Sequence, residues 1–345
     1  MSAFTDLLGI DVPLVLGPFG GLSSVALTAA VSEAGGLGSF GLYGYDGERI
    51  SRVGEELHSA TDRPFGLNIW LPTGDEVEPG PEHDRHAQAL APLFAEVGVG
   101  APSRPERYVP PLAEQLDAVW DVAPAVLSTV FGVPSAALVA EAHRRGVRIV
   151  GTATTVAEAS ALDAAGVDAI VATGAEAAGH RVSFLKPAEE SLVGTFALVP
   201  QVVDAVSVPV IAAGGIADRR GVAAAFALGA SAVQVGTAFL ATRESAATAA
   251  HRAAIRSAAA EDSVLTRAMS GRLARGLRNR AVAEIEAAGA IAPFPAQNWL
   301  TGRFRTPAGA QGRGDLQSLW LGQAAALGRG DTAAEVFAEL SAGLP

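Results

Sequence analysis

Two stretches of this 345-residue chain end buried apolar runs in bare glycine. Val208–Ile216 (VPVIAAGGI) closes on Gly214 and Gly215, and Ala232–Thr237 (AVQVGT) closes on Gly236. Glycine at a strand end lets backbone N–H groups approach an oxyanion that a side chain would hold off. A helix starting there adds further N–H donors and a partial positive charge. Thr237 adds a hydroxyl, while Ala213 and Gln234 stand beside the glycines. One such glycine is an ordinary tight turn. Two sets at the ends of consecutive strands point to phosphate recognition.

The second candidate chemistry is proton transfer. Gly174–His180 (GAEAAGH) follows another apolar run, Ala169–Thr173, so Thr173, Gly179 and His180 are expected on the same face as the glycines. Histidine titrates near neutral pH and can take or give a proton. The competing reading is a structural loop histidine. Glu176 reads first as a group that orients loop backbone. Gly17–Gly21 (GPFGG) ends the first apolar run, and the small residues around Pro18 and Phe19 would let a flat ring approach the backbone at Gly17 and Gly20. Asn68 lies near the end of another run, where its amide could pair with a ring or serve a structural bond. The other five histidines form no cluster at metal-ligand spacing, and no metal site is expected.

These groups need a scaffold that aligns strand ends. Eight apolar runs read as strands: Val12–Leu16, Leu37–Phe40, Phe65–Trp70, Ala125–Thr129, Arg148–Thr152, Ala169–Thr173, Val210–Ala213 and Ala232–Val235. Helices are expected at Val25–Ala34, Glu48–Thr61, Pro134–Arg145, Val156–Ala165, Leu192–Ala205 and Arg219–Leu228. Strand–helix alternation implies a parallel sheet with right-handed crossovers, and eight units imply an α/β fold of the (β/α)₈ TIM-barrel type, with an open doubly wound sheet as the alternative. The rhythm breaks at Leu71–Pro111, a proline-rich excursion around one helical stretch, Asp84–Val97. After Thr242 it becomes mostly helical, with helices expected at His251–Ala260, Ala281–Ala288 and Ala333–Leu340. The expected division is a barrel over 1–242 and a smaller helical lid over 243–345, part of which packs back on the barrel.

Composition narrows the function. Hydrophobic residues make up 49% and charged residues 18%, enough apolar matter for a large buried core. A net charge of −11 argues against a nucleic-acid partner. The short Arg267–Arg280 stretch is interleaved with apolar residues and reads as folded. There is no cysteine, hence no thiol nucleophile or disulfide. No signal peptide or membrane span is recognisable, and the expected location is the cytoplasm. Nothing marks a dimer face, and a homodimer stays open.

The whole pattern resembles the nitronate monooxygenase (formerly 2-nitropropane dioxygenase) family of flavin-dependent barrels. The resemblance rests on Ala29–Ser39 (AAVSEAGGLGS), Phe65–Asn68 (FGLN), Glu176–His180 (EAAGH), Gly214–Ile216, Leu228–Ala230 and Gln234–Phe239 (QVGTAF). Ser270–Arg272, Ala274 with Arg275, Arg278 with Asn279, and Leu319–Ala324 carry it through the C-terminal part. It implies FMN as the phosphorylated ligand. Gly214, Gly215, Gly236 and Thr237 would hold the phosphate, the Pro18–Gly20 backbone and Asn68 would lie near the isoalloxazine, and Gly179 and His180 would serve flavin and substrate. The implied reaction oxidises a small alkyl nitronate with O₂ to a carbonyl compound and nitrite. The alternatives are an NAD(P)H-dependent flavin reductase of a quinone or enoyl thioester, and a barrel that binds a phosphate ligand without catalysis. Phe19 stands where the family has methionine, Ala178 where glycine is usual, and Thr173 where glutamine is common. These departures bear on the substrate pocket.

Overall fold

Eight parallel strands close on themselves in the computed structural model, which describes residues 3–345. The strands are Leu14–Leu16, Gly38–Gly41, Phe65–Trp70, Val126–Val130, Arg148–Ala153, Ala169–Thr173, Val210–Ala213 and Ala232–Val235. Each pairs in parallel with its sequence neighbour from the second to the eighth, and the first pairs with the eighth through Leu14↔Val233 and Leu16↔Val235. The bridge Val15↔Leu37 joins first to second and completes the ring. This is the (β/α)₈ architecture expected from the alternation.

Side-chain alternation explains why the ring is stable. Val15, Leu37, Val126, Val150, Val171 and Ile211 form one buried cluster with Phe4 and Leu8 of the N-terminal helix Ala3–Leu8. Their strand neighbours Leu14, Leu67, Leu127, Ile149, Ile170 and Val233 belong to a separate cluster with the surrounding helices. Successive residues therefore face the interior and the helical layer in turn. The helices start where a side chain can satisfy their first free N–H groups. Ser24, Asp46, Ser135, Thr155 and Asp218 each accept a backbone hydrogen bond from the first turn they precede.

The remainder differs from the sequence reading in three respects. The helix expected at Asp84–Val97 is two, Glu82–Ala89 and Ala91–Glu96, because Pro92 has no N–H to continue the first and suits the start of the second. Helices Leu112–Val122 and Ala296–Ala310 were not expected. Gly302, Pro307 and Gly309 disguise the latter. The Arg-rich stretch contributes a strand, Ala274–Leu277, which pairs antiparallel with Ser263–Thr266 and with the two-residue strand Gly179–His180. Helix Ala333–Ser341 lies back on the barrel, where Phe337 and Leu340 join the main core.

The proline-rich excursion is not a solvent-borne loop. Ala87, Leu90, Leu93, Phe94 and Val97 are buried together with Met269, Ile285, Leu300, Phe304 and Leu316 in a second core. Phe94 meets Phe304 edge to face at 5.9 Å. Among the described residues no helix is long and apolar enough to cross a membrane.

Phe94 is 1% exposed, so Phe94→Ala should cost about 3–5 kcal/mol in urea unfolding. Hydrogen exchange of Ala296–Ala310 should accelerate while the barrel strands stay protected. An unchanged unfolding midpoint would mean the second core adds nothing to stability.

Candidate functional site

A cavity of about 610 Å³ opens at the C-terminal ends of the strands. Its floor is backbone. Gly17 at the end of the first strand donates its N–H to the Val235 carbonyl at 2.9 Å. A Cβ on Gly17 would lie 3.2 Å from the Gly236 Cα, so a side chain there would press on the neighbouring backbone. Gly214 and Gly215 have φ of 97° and 72°, a left-handed backbone that favours glycine. A Cβ on Gly214 would meet Thr195 Oγ1 at 3.1 Å and the Ala177 nitrogen at 3.2 Å. Thr237 opens a short helix, and its hydroxyl accepts from the Gly322 N–H at 3.1 Å.

The histidine loop is braced from outside. Arg181, 2% exposed, donates to the carbonyls of Gly174 (2.6 Å) and Thr173 (3.0 Å). Arg275 donates from Nε to the Ala175 carbonyl at 2.8 Å. The Glu176 carboxylate accepts from the Thr195 N–H and hydroxyl at 3.0 and 2.9 Å. It thereby caps helix Thr195–Ala205, whose own N-cap, Gly194, has no side chain to do so. Glu176 thus orients backbone, as its place in the loop indicated.

His180 stands half-buried on the cavity wall. Trp70, Trp320 and Phe131 have ring centroids 4.9, 5.7 and 6.3 Å from its own. Phe131 has φ of 69°, a strained backbone for a bulky residue, which packing on this side of the mouth must hold. Burial first, and the charges of Arg272 and Arg305 second, push the His180 imidazole down to about 3. Arg272 lies 3.9 Å from the Phe294 ring centre and ties the excursion down through Thr73, Asp75 and Glu76. Burial opposes the Glu76 charge, but hydrogen bonds from Thr73 and Arg272 hold the carboxyl down to about 2. Arg305 donates to Ser318 Oγ (2.7 Å) and Asn298 Oδ1 (2.8 Å), and no carboxylate pairs with it among the described residues.

Every residue singled out in the sequence borders this one cavity: Gly17, Pro18, Phe19, Gly20, Asn68, Thr173, Gly179, His180, Ala213, Gly214, Gly215, Gln234, Gly236 and Thr237. The Asn68 amide nitrogen donates to the Ser128 hydroxyl (2.9 Å) and carbonyl (3.2 Å), which leaves its Oδ1 for a ligand. The sequence reading missed the far wall, formed by Tyr43, Trp70, Asn298, Arg305, Gln317 and Trp320. It also set aside His251, which lines the cavity but whose Nε2 is held by the Trp320 carbonyl at 2.8 Å. Arg305 and Asn298 lie on the unexpected helix Ala296–Ala310. No spacing rule links them to the barrel, since the contact is made by the second core. Among the described residues no group of three or more His, Cys, Asp or Glu could hold a metal ion.

Fold and site together define a (β/α)₈ barrel enzyme with a cavity at the C-terminal rim of its strands. Comparison with known proteins gives the family. The nitronate monooxygenase family model matches residues 1–343, and the chain belongs to that family. A nitronate monooxygenase of Pseudomonas aeruginosa is 41% identical over 343 residues, covering 98% of this chain and 97% of the relative. A nitroalkane oxidase from Streptomyces ansochromogenes superposes with a TM-score of 0.86 at 36% identity, covering 99% of this chain and 98% of that one. FabK from Thermotoga maritima superposes at 0.78 with 31% identity, covering 99% and 94%. The chain is thus an oxidoreductase of a flavoprotein family that oxidises nitronates.

The depressed histidine has a measurable consequence. Between about pH 6.5 and 3 the unfolded chain binds a proton at His180 that the folded chain does not. Stability therefore falls as pH drops through that window. His180→Asn should flatten this acid limb by one proton's slope in urea unfolding at stepped pH. Equal slopes in both proteins would show that His180 titrates normally.

Proposed function

We propose that the chain binds FMN and oxidises alkyl nitronates with O₂ to a carbonyl compound and nitrite. The observation that carries this reading is the convergence on one cavity of a side-chain-free cradle and a recessed histidine. The cradle fits a phosphorylated flavin. Gly214, Gly215, Gly236 and Thr237 would hold the phosphate, where bare backbone and a hydroxyl offer donors. The ring would lie against Gly17–Gly20, with Asn68 Oδ1, Thr173, Gly179, Ala213 and Gln234 around it. FMN supplies the electron transfer between nitronate and O₂ when bound.

The chain's own residues bind and orient the substrate. The positive charge of Arg305, which no carboxylate pairs among the described residues, draws an anion towards His180. Trp70, Phe131 and Trp320 keep water from the reacting carbon. His180 either orients the nitronate or takes the α-proton of a neutral nitroalkane. The barrel over 1–242 carries the cofactor site, and 243–345 with the excursion at 71–111 acts as its lid. The location we propose is the cytoplasm, in keeping with the acidic, cysteine-free chain. The reductase and non-catalytic alternatives are not favoured, because the family's relatives are nitronate monooxygenases.

The purified protein should be yellow, release FMN on denaturation, and consume a nitronate under air. Colourless protein that gains no flavin spectrum on reconstitution would sink the reading. His180→Asn should lower turnover of a neutral nitroalkane at least ~100-fold, the usual scale of a lost proton-transfer group, while the flavin stays bound. Gly215→Val should lose the flavin itself, because its φ of 72° is hostile to a β-branched residue. Full flavin occupancy in that variant would place the phosphate elsewhere.

A further inference from the structure

We propose that Ser270 determines which nitrogen of His180 carries the proton, and that it leaves a bare Nδ1 facing the cavity. Ser270 is 1% exposed. It sits in the turn between strands Ser263–Thr266 and Ala274–Leu277, the second of which pairs with His180 through Ala274. The turn is rigid. The N–H groups of Ser270 and Gly271 both donate to the Arg267 carbonyl, at 3.2 and 2.8 Å. A Cβ on Gly271 would fall 2.6 Å from the Phe294 nitrogen. The hydroxyl is therefore fixed opposite the imidazole, with Oγ 2.8 Å from His180 Nε2.

A serine hydroxyl has one proton to give. Oγ accepts from the Arg272 N–H at 3.3 Å and lies 3.0 Å from the Arg272 carbonyl, to which it donates. No other donor reaches that carbonyl among the described contacts, and a buried carbonyl left unpaired is costly. With its proton directed there, Oγ can only accept from the imidazole. Nε2 must then be the N–H nitrogen. Burial, and after it the nearby cations Arg272 and Arg305, oppose a second proton on the ring, so Nδ1 is unprotonated. Nδ1 makes no hydrogen bond with the protein, and it is not among the shielded unpaired atoms, so it opens onto the cavity.

This rests on the reaction proposed above and refines the part His180 plays in it. In the resting site His180 accepts a proton and does not donate one. With a neutral nitroalkane the Cα–H bond breaks, an N–H bond forms at Nδ1, and the C–H electron pair moves into the nitro group. The products are an imidazolium and a nitronate, with no change of oxidation state. A nitronate that arrives already ionised bypasses this step. Ser270 is thus a positioning residue whose influence depends on the ionic form of the substrate.

Two measurements on the flavin-loaded protein test this. Nitrogen-15 NMR of histidine-labelled enzyme, with the His180→Asn spectrum to assign the signal, should show the proton on Nε2 and a bare Nδ1. A proton on Nδ1 would overturn the proposal. In Ser270→Ala, kcat/KM for a neutral nitroalkane divided by that for its nitronate should fall about tenfold or more, as expected for a misaligned base. An unchanged ratio would equally overturn it. If the wild-type enzyme consumes neither substrate, the reading of the reaction fails, and the NMR result still decides the tautomer.

Discussion

Backbone meets backbone at Gly17 and Gly236, and the rest of the site depends on that contact. The first and last strands of the barrel pair there with no side chain between their ends. A methyl group on Gly17 would press on the Gly236 backbone at 3.2 Å. Because the ring is closed and every strand is hydrogen-bonded to two neighbours, the two ends are held at this spacing from both sides. The cradle is therefore a property of closure as much as of any one loop.

Around this floor the protein distributes charge in a particular way. Arg181 and Arg275 face the outer side of the histidine loop and bind its carbonyls rather than carboxylates. Arg305 lines the cavity, and with Arg272 it adds to the burial that keeps His180 neutral. A shielded cation without a direct ion pair is expensive, and Arg305 has no carboxylate partner among the described residues. Its retention at a ligand cavity is understandable where the ligand is itself anionic, as a nitronate is. Arg272 has a second engagement, since its guanidinium gathers Thr73, Asp75 and Glu76 and so anchors the excursion beside the same histidine.

The barrel and its near wall were legible because they obey local rules. Phe65–Trp70, Ala169–Thr173, Val210–Ala213 and Ala232–Val235 are where their apolar runs place them, and the glycines that end the last three mark the rim. The far wall was not legible. Tyr43 and Trp70 look like core aromatics in sequence. Arg305 sits on a helix that carries Gly302, Pro307 and Gly309 and lacks a clean amphipathic stripe. Its position is set by contacts with Phe94 and Leu90, more than two hundred residues earlier in the chain, and nothing in local pattern encodes that meeting. The pairing of Gly179–His180 with Ala274–Leu277 is hidden for the same reason: two-residue strands have no periodicity to read.

The second core has a consequence for how this enzyme can diversify. It ties the excursion and the C-terminal helices into one body that supplies Asn298 and Arg305 to the cavity, while the glycine floor belongs wholly to the barrel. Lengthening or trimming the segment between Leu71 and Pro111 would tilt that body and reshape the entrance without disturbing the floor. Changes confined to that segment thus act on which molecules are admitted and leave the glycine floor as it is.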